Sequence, residues 1–390
     1  MTESDSELKA NLGRLRTFIQ QGKIKKIKYL LTNQSKQLNY FLEQQFDGCA
    51  YATKFKQEKV LHLLHEYGRF PLDGYPNTHS ITALIIAIRR SDLTFIQTLV
   101  ELGCDVNHSV RSYTIIPLLE AYQICKNKQN NLFLFETSKK IFQYLLQSGA
   151  SPNIYNIHHM RIVHLTVIDG EFDFLHLLLD HGAYVNVITS THRKNLLHLI
   201  CDRTVEQSTE NLLQILRKLI QLGCNINHRD DCFETPLMCT LHHGGNLTLA
   251  HELIIEGTRL DWKNNFGNTY LTRAVHYALY DHARMALYAG APCRARQCSF
   301  PYMNRYYQQE QSTNETSLMD AIVDYEQFMG ELERYLLKPR QLKDITRLII
   351  RQNLPCPLSK SIIELENYLP HSLIQYLMLK EMKTVLNIEF

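Results

Sequence analysis

The most constraining feature of this chain is a short segment that it repeats, and residues 160–186 show it best. Two apolar runs are separated there by Asp169-Gly170, and Gly182 follows the second run. Apolar residues in the second run recur at the spacing of an amphipathic helix, and glycine is favoured just past a helix end. Because one such helix pair cannot bury its apolar face alone, the segment predicts stacked copies of itself.

Closing glycines recur along the chain at a nearly regular interval. Subtraction of successive numbers gives differences of 35, 46, 33, 41, 34 and 33 for Gly68, Gly103, Gly149, Gly182, Gly223, Gly257 and Gly290. A base period near 33 residues with two longer intervals indicates a repeat array that carries insertions.

The two long intervals contain polar insertions at residues 126–131 and 202–210. Each insertion is predicted to lie between the two helices of its repeat, so both are expected to emerge on one side of the stack. Insertions on one face often mark a binding face. The alternative is a tolerated surface loop, because lengthening a loop costs little free energy.

Short motifs recur in register with the glycines. The chain reads T-A-L at 82–84, I-P-L at 116–118 and T-P-L at 235–237, and then G-C-D-V-N at 103–107, G-A-Y-V-N at 182–186 and G-C-N-I-N at 223–227. These motifs resemble the ankyrin repeat, whose signature is T-P-L-H-x-A followed by two helices and G-A-D-V-N. The resemblance covers about residues 45–292 and implies an all-α ankyrin-repeat solenoid with an extended surface for binding proteins.

Composition narrows the class of protein. The 390 residues are 45% apolar, enough for a folded core, and the net charge of +3 is too small to indicate nucleic-acid binding. The chain has no apolar run near the length of a membrane helix and no signal-peptide pattern, so we expect no membrane association. We expect a cytoplasmic protein, with a nuclear location also open. The ten irregularly spaced cysteines are expected to be reduced core thiols.

The sequence offers no persuasive catalytic site, metal site or cofactor site, so we expect a chain that is not an enzyme. His164 and His198 occupy the histidine position of the repeat signature and are predicted to bond the turns of neighbouring repeats. The remaining candidates for metal binding lack the tight C-x-x-C pairs that zinc sites use, and we expect no metal there. They are Cys224, His228, Cys232, Cys239, His242, His243 and the separate Cys293 and Cys298.

The turns between repeats are the candidate binding residues for an unknown protein substrate. Two turns, residues 228–233 and 261–266, are richest in polar and aromatic side chains. The candidates are His228, Arg229, Asp231, Phe233, Trp262, Lys263 and Phe266. An exposed Trp262 beside Lys263 suits a binding hot spot, and packing of the indole on its own turn is the alternative.

The C-terminal segment carries a second resemblance. Leu342, Ile345 and Ile349 have helical spacing, which is typical of an amphipathic helix that caps the array or binds a partner's groove. The segment also resembles the elongin-binding box of SOCS-box proteins, with Leu342, Thr346 and Ile350 at the pattern positions. Thr346 stands where that family has cysteine, and its hydroxyl needs a hydrogen-bond partner.

Residues 367–377 are similar to the cullin box of the ankyrin repeat and SOCS box family. The matching residues include Leu369, Pro370, Leu373 and Tyr376, whereas Asn367-Tyr368 replaces the first Leu-Pro of the family pattern. This departure weakens the choice of cullin more than the elongin prediction.

The second resemblance implies an adapter that captures a protein on the ankyrin surface and delivers it to a ubiquitin ligase. Elongin B and elongin C would bind through Leu342, Ile345, Thr346, Ile349 and Ile350. Cullin-5, or cullin-2, with its RING protein would bind through the cullin-box residues. The chain itself would supply proximity and no chemistry.

Two alternatives remain at this point. One is an ankyrin scaffold without ligase activity, whose last helices only cap the array. The other is a viral ankyrin protein whose terminal Leu369-Pro370 helix resembles an F-box-like domain. The predicted domains are an N-terminal helical or degenerate repeat at 1–44, ankyrin repeats at 45–292, an atypical capping repeat at 293–337 and a SOCS-box-like helical domain at 338–390.

Overall fold

The computed structural model describes a chain of helices joined by short turns. The described residues are 3–32, 46–68, 70–74, 81–109, 115–127, 132–203, 209–293, 324–332, 334, 350–351, 354, 357–363 and 371–378. Within these ranges every regular element is a helix, and isolated antiparallel bridges join Tyr155 to Arg161 and Ile188 to Asn195. The all-α class predicted from the sequence is confirmed for this part of the chain.

The helices follow one another in pairs. They are α1 (Glu3–Gln20), α2 (Ile24–Thr32), α3 (Gly48–Lys54), α4 (Glu58–Gly68), α5 (Ala83–Arg89), α6 (Leu93–Glu101), α7 (Pro117–Asn127), α8 (Leu132–Gln147), α9 (Ile162–Asp169), α10 (Phe172–Asp180), α11 (Leu196–Cys201), α12 (Thr209–Gln221), α13 (Pro236–Cys239), α14 (Leu247–Ile255), α15 (Tyr270–His276), α16 (Tyr280–Tyr288), α17 (Leu358–Ile363) and α18 (His371–Leu377). Residues 324–332 are also helical. The chain divides into two compact units, unit 1 (Met1–Val163 with Asp173–Ala183) and unit 2 (His164–Phe172 with Tyr184–Phe390).

Side-chain caps fix where the first helix of a repeat begins. Thr82, Asn195, Thr235 and Thr269 each accept a hydrogen bond from the amide three residues later. Such a cap satisfies an amide that has no partner inside the helix and is worth about 1 kcal/mol. This explains why a threonine or asparagine stands at that position of the repeat motif.

The closing glycines end most of the second helices as predicted. Gly103, Gly149, Gly182 and Gly223 have φ between 83° and 90°, and Gly257 and Gly290 have φ of 91° and 93°. Any residue with a Cβ atom would be destabilised by this left-handed backbone conformation. Gly68 differs, because it is the last residue of α4 itself.

An asparagine stands four residues after Gly103, Gly149, Gly182 and Gly223, and in the described contacts it ties one repeat to the next. In unit 2, Asn186 donates from Nδ2 to the Gly223 carbonyl oxygen (2.8 Å) and accepts from the Asn225 amide (2.9 Å). In unit 1, Asn107 makes the equivalent pair of bonds with the Gly149 carbonyl oxygen (3.0 Å) and the Ser151 amide (2.7 Å). The final asparagine of the motif therefore connects neighbouring repeats.

Each unit has an apolar core between its helix layers. In unit 1 the Phe174 ring meets the edges of Phe142 and Tyr122, with centroids 5.0 and 5.6 Å apart. In unit 2 the fully buried leucines include Leu196, Leu216, Leu219, Leu237, Leu253 and Leu271. Each such side chain contributes about 1.5–3 kcal/mol through burial.

The signature histidines are core residues. His164 and His198 are fully buried. The His198 ring nitrogens lie 2.6 Å from Asn195 Oδ1 and 3.0 Å from the Glu234 carbonyl oxygen in the next turn. The prediction that this histidine bonds a neighbouring turn is confirmed for His198.

Several predicted features lie partly outside the described residues. The insertions follow α7 and α11, so each stands between the two helices of its pair, but residues 128–131 and 204–208 are outside the described part. Residues 294–323 are outside it too, and the boundaries at 44, 292 and 337 stay predictions. Of the described cysteines, six are buried, Cys232 is exposed and Cys293 is intermediate.

Candidate protein-interaction surfaces

Three turns of unit 2 form a continuous edge, which we call the finger row: residues 189–194, 228–234 and 259–268. Two of these turns are closed in the same way by a side chain. Asp230 Oδ1 accepts hydrogen bonds from the amides of Cys232 (2.9 Å) and Glu234 (2.8 Å). Asn264 Oδ1 likewise accepts from the amides two and four residues later, both at 3.0 Å. Asx side chains of this kind stabilise a tight turn without a strand.

Backbone hydrogen bonds join the neighbouring turns. The Asp231 amide donates to the His192 carbonyl oxygen (3.2 Å), and the Asn265 amide donates to the Cys232 carbonyl oxygen (3.0 Å). The Asn265 side chain adds a bond to the Asp231 carbonyl oxygen (3.1 Å). The finger row is therefore a preorganised surface, which lowers the entropy cost of binding.

Arginine and aromatic side chains stack along the finger row. The Arg229 guanidinium lies 4.3 Å from the centroid of the Phe233 ring and 5.4 Å from the Trp262 ring. The Arg259 guanidinium lies 5.7 Å from the centroid of the same indole, and Arg229 Nη2 donates to the Lys263 carbonyl oxygen (2.8 Å). Each cation–π contact contributes about 0.5–1 kcal/mol at a partly exposed site. Trp262 therefore contacts two cations and is only partly exposed.

Phe233 occupies a left-handed backbone position. Its φ is 57°, and the corresponding residue of the next turn is Gly267 with φ of 77°. A non-glycine residue pays about 1–2 kcal/mol for this conformation. The Phe233 side chain is nevertheless 47% exposed, so the free energy gained by its burial does not offset the whole cost of the backbone conformation.

The structure brings some predicted binding residues together and separates others. Arg229, Phe233, Trp262 and the Lys263 backbone form one cluster, and Phe266 stands 80% exposed at the tip of its turn. The His228 ring instead contacts the Arg193 carbonyl oxygen (2.8 Å). Asp231 is exposed, with Arg193 Nε 4.0 Å from its carboxylate. The sequence reading missed Arg193 and Arg259, although both stand in turns that the repeat register identifies.

A second cluster of charged side chains includes the finger-row residues Lys194 and Glu234, and we call it the polar network. Asp202 accepts from Lys194 Nζ (2.7 Å) and from His242 Nδ1 (2.5 Å). Glu234 forms an ion pair with Arg273 and lies 3.5 Å from His242 Nε2. The side chains of Glu234 and Arg273 are 9% and 13% exposed. Lys194 and Asp202 flank α11, Glu234 and His242 flank α13, and Arg273 lies in α15, so the network links three successive helix pairs.

The charges of the polar network shift one another's pKa values. Hydrogen bonds to Asp202 and Glu234 raise the pKa of His242 to about 9, although burial and the Arg273 charge act in the opposite direction. Burial would raise the pKa of Asp202, but hydrogen bonds from His242 and Lys194 lower it to about 2. Glu234 has a pKa of about 2, because His242 and Arg273 outweigh its burial. Such shifts accompany both functional sites and structural ion pairs.

The cysteine and histidine residues weighed as metal ligands do not converge. Cys224 and Cys239 are buried, Cys232 is exposed on the finger row, and His242 belongs to the polar network. Across the described residues, no group of three or more His, Cys, Asp or Glu side chains could hold a metal ion. Cys298 lies outside the described residues.

The C-terminal module, residues 350–378 as far as described, has its own apolar core. Leu358, Ile362, Ile374 and Leu377 are buried in it, and Ile350, Leu354 and Met378 pack against them. An apolar core of this size is too small to fold by itself, so the module needs contacts with the rest of the chain.

Arg351 attaches the C-terminal module to the repeat array. Its Nη2 donates to the carbonyl oxygens of Ile254 (2.6 Å) and Ile255 (3.2 Å) at the end of α14, and its Nη1 donates to Leu377 (2.5 Å) at the end of α18. The Leu358 amide adds a bond to the Glu256 carbonyl oxygen (3.1 Å). A cation is favourable at a helix C-terminus because the last carbonyl groups lack helical partners. A cavity of about 670 Å³ lies between Met378, α12 and α14.

Most residues predicted to bind elongin or cullin fall outside the described part. Leu342, Ile345, Thr346, Ile349, Leu369 and Pro370 are outside it. Ile350 is half-buried against the module's own core. Leu373 and Tyr376 lie in α18, but the positions of their side chains are not described.

Comparison with known proteins supports the prediction of ankyrin repeats more than the prediction of a SOCS box in the C-terminal segment. No family model matches the chain. Human Rabankyrin-5 is 24% identical over 151 residues, which cover 38% of this chain and 13% of the relative. The chicken nuclear factor NF-kappa-B p105 subunit is 25% identical over 129 residues, or 33% of this chain and 12% of the relative. Mouse ankyrin repeat and SOCS box protein 6 is 26% identical over 118 residues, or 29% of this chain and 27% of the relative.

The chain thus spans only about an eighth to a quarter of these curated relatives. Among solved structures, the ankyrin repeat domain of Bcl-3 matches with a TM-score of 0.44 and 19% identity, covering 62% of this chain and 96% of that domain. Among the described helices, none is both long and apolar enough to cross a membrane. The relatives support an ankyrin-repeat array, which agrees with the capped helix pairs, closing glycines and linking asparagines.

Proposed function

We propose that this protein is the substrate-recognition adapter of an elongin B/C and cullin-RING ubiquitin ligase. The coarser assignment, a protein-interaction scaffold of ankyrin repeats, rests on the repeat architecture itself. One observation supports the ligase-adapter assignment: a separate helical core follows the array, in the segment whose sequence resembles a SOCS box. The adapter is cytoplasmic in this proposal, with a nuclear location also open, and it performs no catalysis and uses no cofactor.

The described contacts refine the choice of residue for testing the proposal. Ile350 packs on the core of the C-terminal module, so its substitution would disturb folding as well as binding. Leu342 is the first position of the elongin-binding pattern and is the better test. An apolar anchor that enters a partner's pocket is the usual hot spot of a helix-in-groove interface.

Co-expression with elongin B and elongin C, followed by size-exclusion chromatography, tests the proposal. We expect the wild-type chain to elute as a ternary complex and Leu342→Asp to elute alone, because a carboxylate in an apolar pocket pays its desolvation cost. Gln341→Asp is the matched control, since it adds the same charge at the neighbouring position outside the pattern. A folded wild-type chain that elutes without the elongins would refute the adapter proposal.

One observation favours a second candidate, a binding scaffold whose C-terminal module is only a cap. The hydrogen bonds of Arg351 hold the module on the C-terminal end of α14, as expected of a module whose role is to stabilise the array. In this case the same chromatography would show no elongin complex for any variant. Arg351→Ala would then lower the melting temperature of the whole chain.

A further inference from the structure

The finger row carries a surplus of positive charge. Lys194 and Glu234 are engaged in the polar network, and Asp230 is buried, with its carboxylate accepting backbone hydrogen bonds. The remaining charged side chains of the finger row are four cations and two exposed carboxylates: Arg193, Arg229, Arg259, Lys263, Asp231 and Asp261.

The surplus is concentrated at Arg229 and Lys263. Arg259 holds Asp261 in a two-bond pair at 3.0 and 2.9 Å, so these two charges largely cancel. Arg193 lies 4.0 Å from Asp231 and compensates it partly. The hydrogen bonds of Arg229 go to the carbonyl oxygens of Phe233 and Lys263 and leave its positive charge without a carboxylate.

Exposed apolar area lies on the same turns as these cations. Phe266 is 80% exposed and Phe233 is 47% exposed. Phe233 keeps its side chain at a left-handed position where the next turn has Gly267.

We propose that the finger row of unit 2 binds an extended acidic segment of a partner protein. Carboxylates of the segment pair with Arg229 and Lys263, while its apolar side chains pack on Phe233 and Phe266. Charge complementarity selects the segment and the aromatic side chains supply buried area. This inference rests on the proposed function in one respect, since the acidic segment would belong to the captured substrate.

Selection of random displayed peptides on the immobilised full-length protein tests the inference. The enriched peptides are expected to be rich in Asp and Glu, and their affinity, measured by fluorescence polarisation, should fall as salt is added. Arg229→Gln is expected to weaken binding by about tenfold or more, because a charge-assisted hydrogen bond is lost. Arg334→Gln is the matched control, since it removes the same charge from an exposed helical position outside the finger row.

Phe233→Gly separates binding from folding. Glycine suits the left-handed backbone, so the melting temperature should stay at the wild-type value while peptide binding weakens. Failure to enrich any peptide, enrichment of peptides without acidic residues, or unchanged binding by both Arg229→Gln and Phe233→Gly would overturn the inference. Elongin binding by these variants is scored separately, so loss of the adapter function and loss of the peptide site are distinguishable outcomes.

Discussion

The two compact units share a turn geometry and use it differently. In unit 1, Asn156 Oδ1 closes the turn at 156–160 by accepting from the amides of His158 (2.9 Å) and Met160 (3.0 Å). In unit 2, Asp230 closes the turn at 230–234 by the same pair of bonds. A non-glycine residue takes the left-handed position in both, His159 with φ of 55° and Phe233 with φ of 57°.

The difference lies in the charges around the turns. The finger row of unit 2 adds stacked arginines and a buried polar network. The ion pairs that unit 1 makes between repeats each include a more exposed partner, as in Arg89 with Glu120 at 2.7 Å and Lys56 with Asp92 at 3.0 Å. The repeat scaffold therefore dictates the backbone, while exposed and inner-face positions determine the local chemistry, as expected when function is placed on a common fold.

The largest effect is expected from Glu234→Ala. Removal of this carboxylate leaves the largely buried Arg273 without its carboxylate partner, while His242 keeps Asp202, and should cost about 3–5 kcal/mol in unfolding free energy. Glu120→Ala in unit 1 should cost at most about 1 kcal/mol, because its partner Arg89 is 41% exposed and screened by water. Urea denaturation of both variants measures the two losses of unfolding free energy. Equal losses would contradict the difference between the units.

A pH dependence of stability should come from unit 2. The pKa of His242 rises from 6.5 to about 9 on folding, so its contribution is complete below pH 6.5 and is lost as the pH rises through about 9. The expected loss is about 2–3 kcal/mol, and His242→Gln should abolish it. Thermal unfolding at a series of pH values measures this.

An unchanged wild-type stability over that pH range would have a specific structural meaning. Arg273 Nη2 lies 2.9 Å from His242 Nε2. A flat profile between about pH 7 and pH 9 would show that the native ring is already neutral there, the state in which Nε2 can accept a hydrogen bond from Arg273.

Arg351→Ala should release the C-terminal module from α14. Loss of its charge-assisted bonds to helix-end carbonyl groups is expected to cost about 2 kcal/mol of local stability. Hydrogen exchange should then accelerate in α17 and α18 and at the end of α14, while amides of unit 1 exchange at the wild-type rate. Faster exchange throughout unit 1 would contradict a local anchoring role and favour a cap that stabilises the whole chain.

The smallest effects are expected at the two left-handed positions. His159→Gly should raise the unfolding free energy by about 0.5 kcal/mol, because relief of strain slightly exceeds the added entropy of the unfolded chain. Phe233→Gly should be about neutral, because it also loses the contact with Arg229. Chemical denaturation of the pair is the measurement, and a clear loss in both would show that their side chains support folding.

Much of the fold was predictable because the period of a repeat array is visible in the sequence. The spacing of Gly103, Gly149 and Gly182 gave the helix ends, and residues such as Thr235 gave the starts. The prediction for Gly68 was off by one position, since α4 ends at this glycine and not before it. The preferences for a capping residue at a helix start and for glycine at a helix end depend on only a few neighbouring residues, so a short sequence motif is enough to predict them.

The candidate site was predictable only in part. The turns around Phe233 and Trp262 followed from the repeat register, whereas the partners of Arg229 and the role of Arg259 did not. Stacking of side chains depends on the distance between adjacent turns, which no motif within one turn records. The residues predicted to bind elongin and cullin stay predictions that rest on sequence resemblance.

The sequence by itself determined the repeat period, the capped helix pairs and the apolar faces that require stacking, because these depend on neighbours within about one repeat. Only the tertiary structure decided the polar network and the anchoring of the C-terminal module. Asp202 and His242 are 40 residues apart in the chain, and Arg351 and Ile254 are 97 apart. Their charges act on one another only after the intervening helices have stacked, because water screens charges that packing has not brought together.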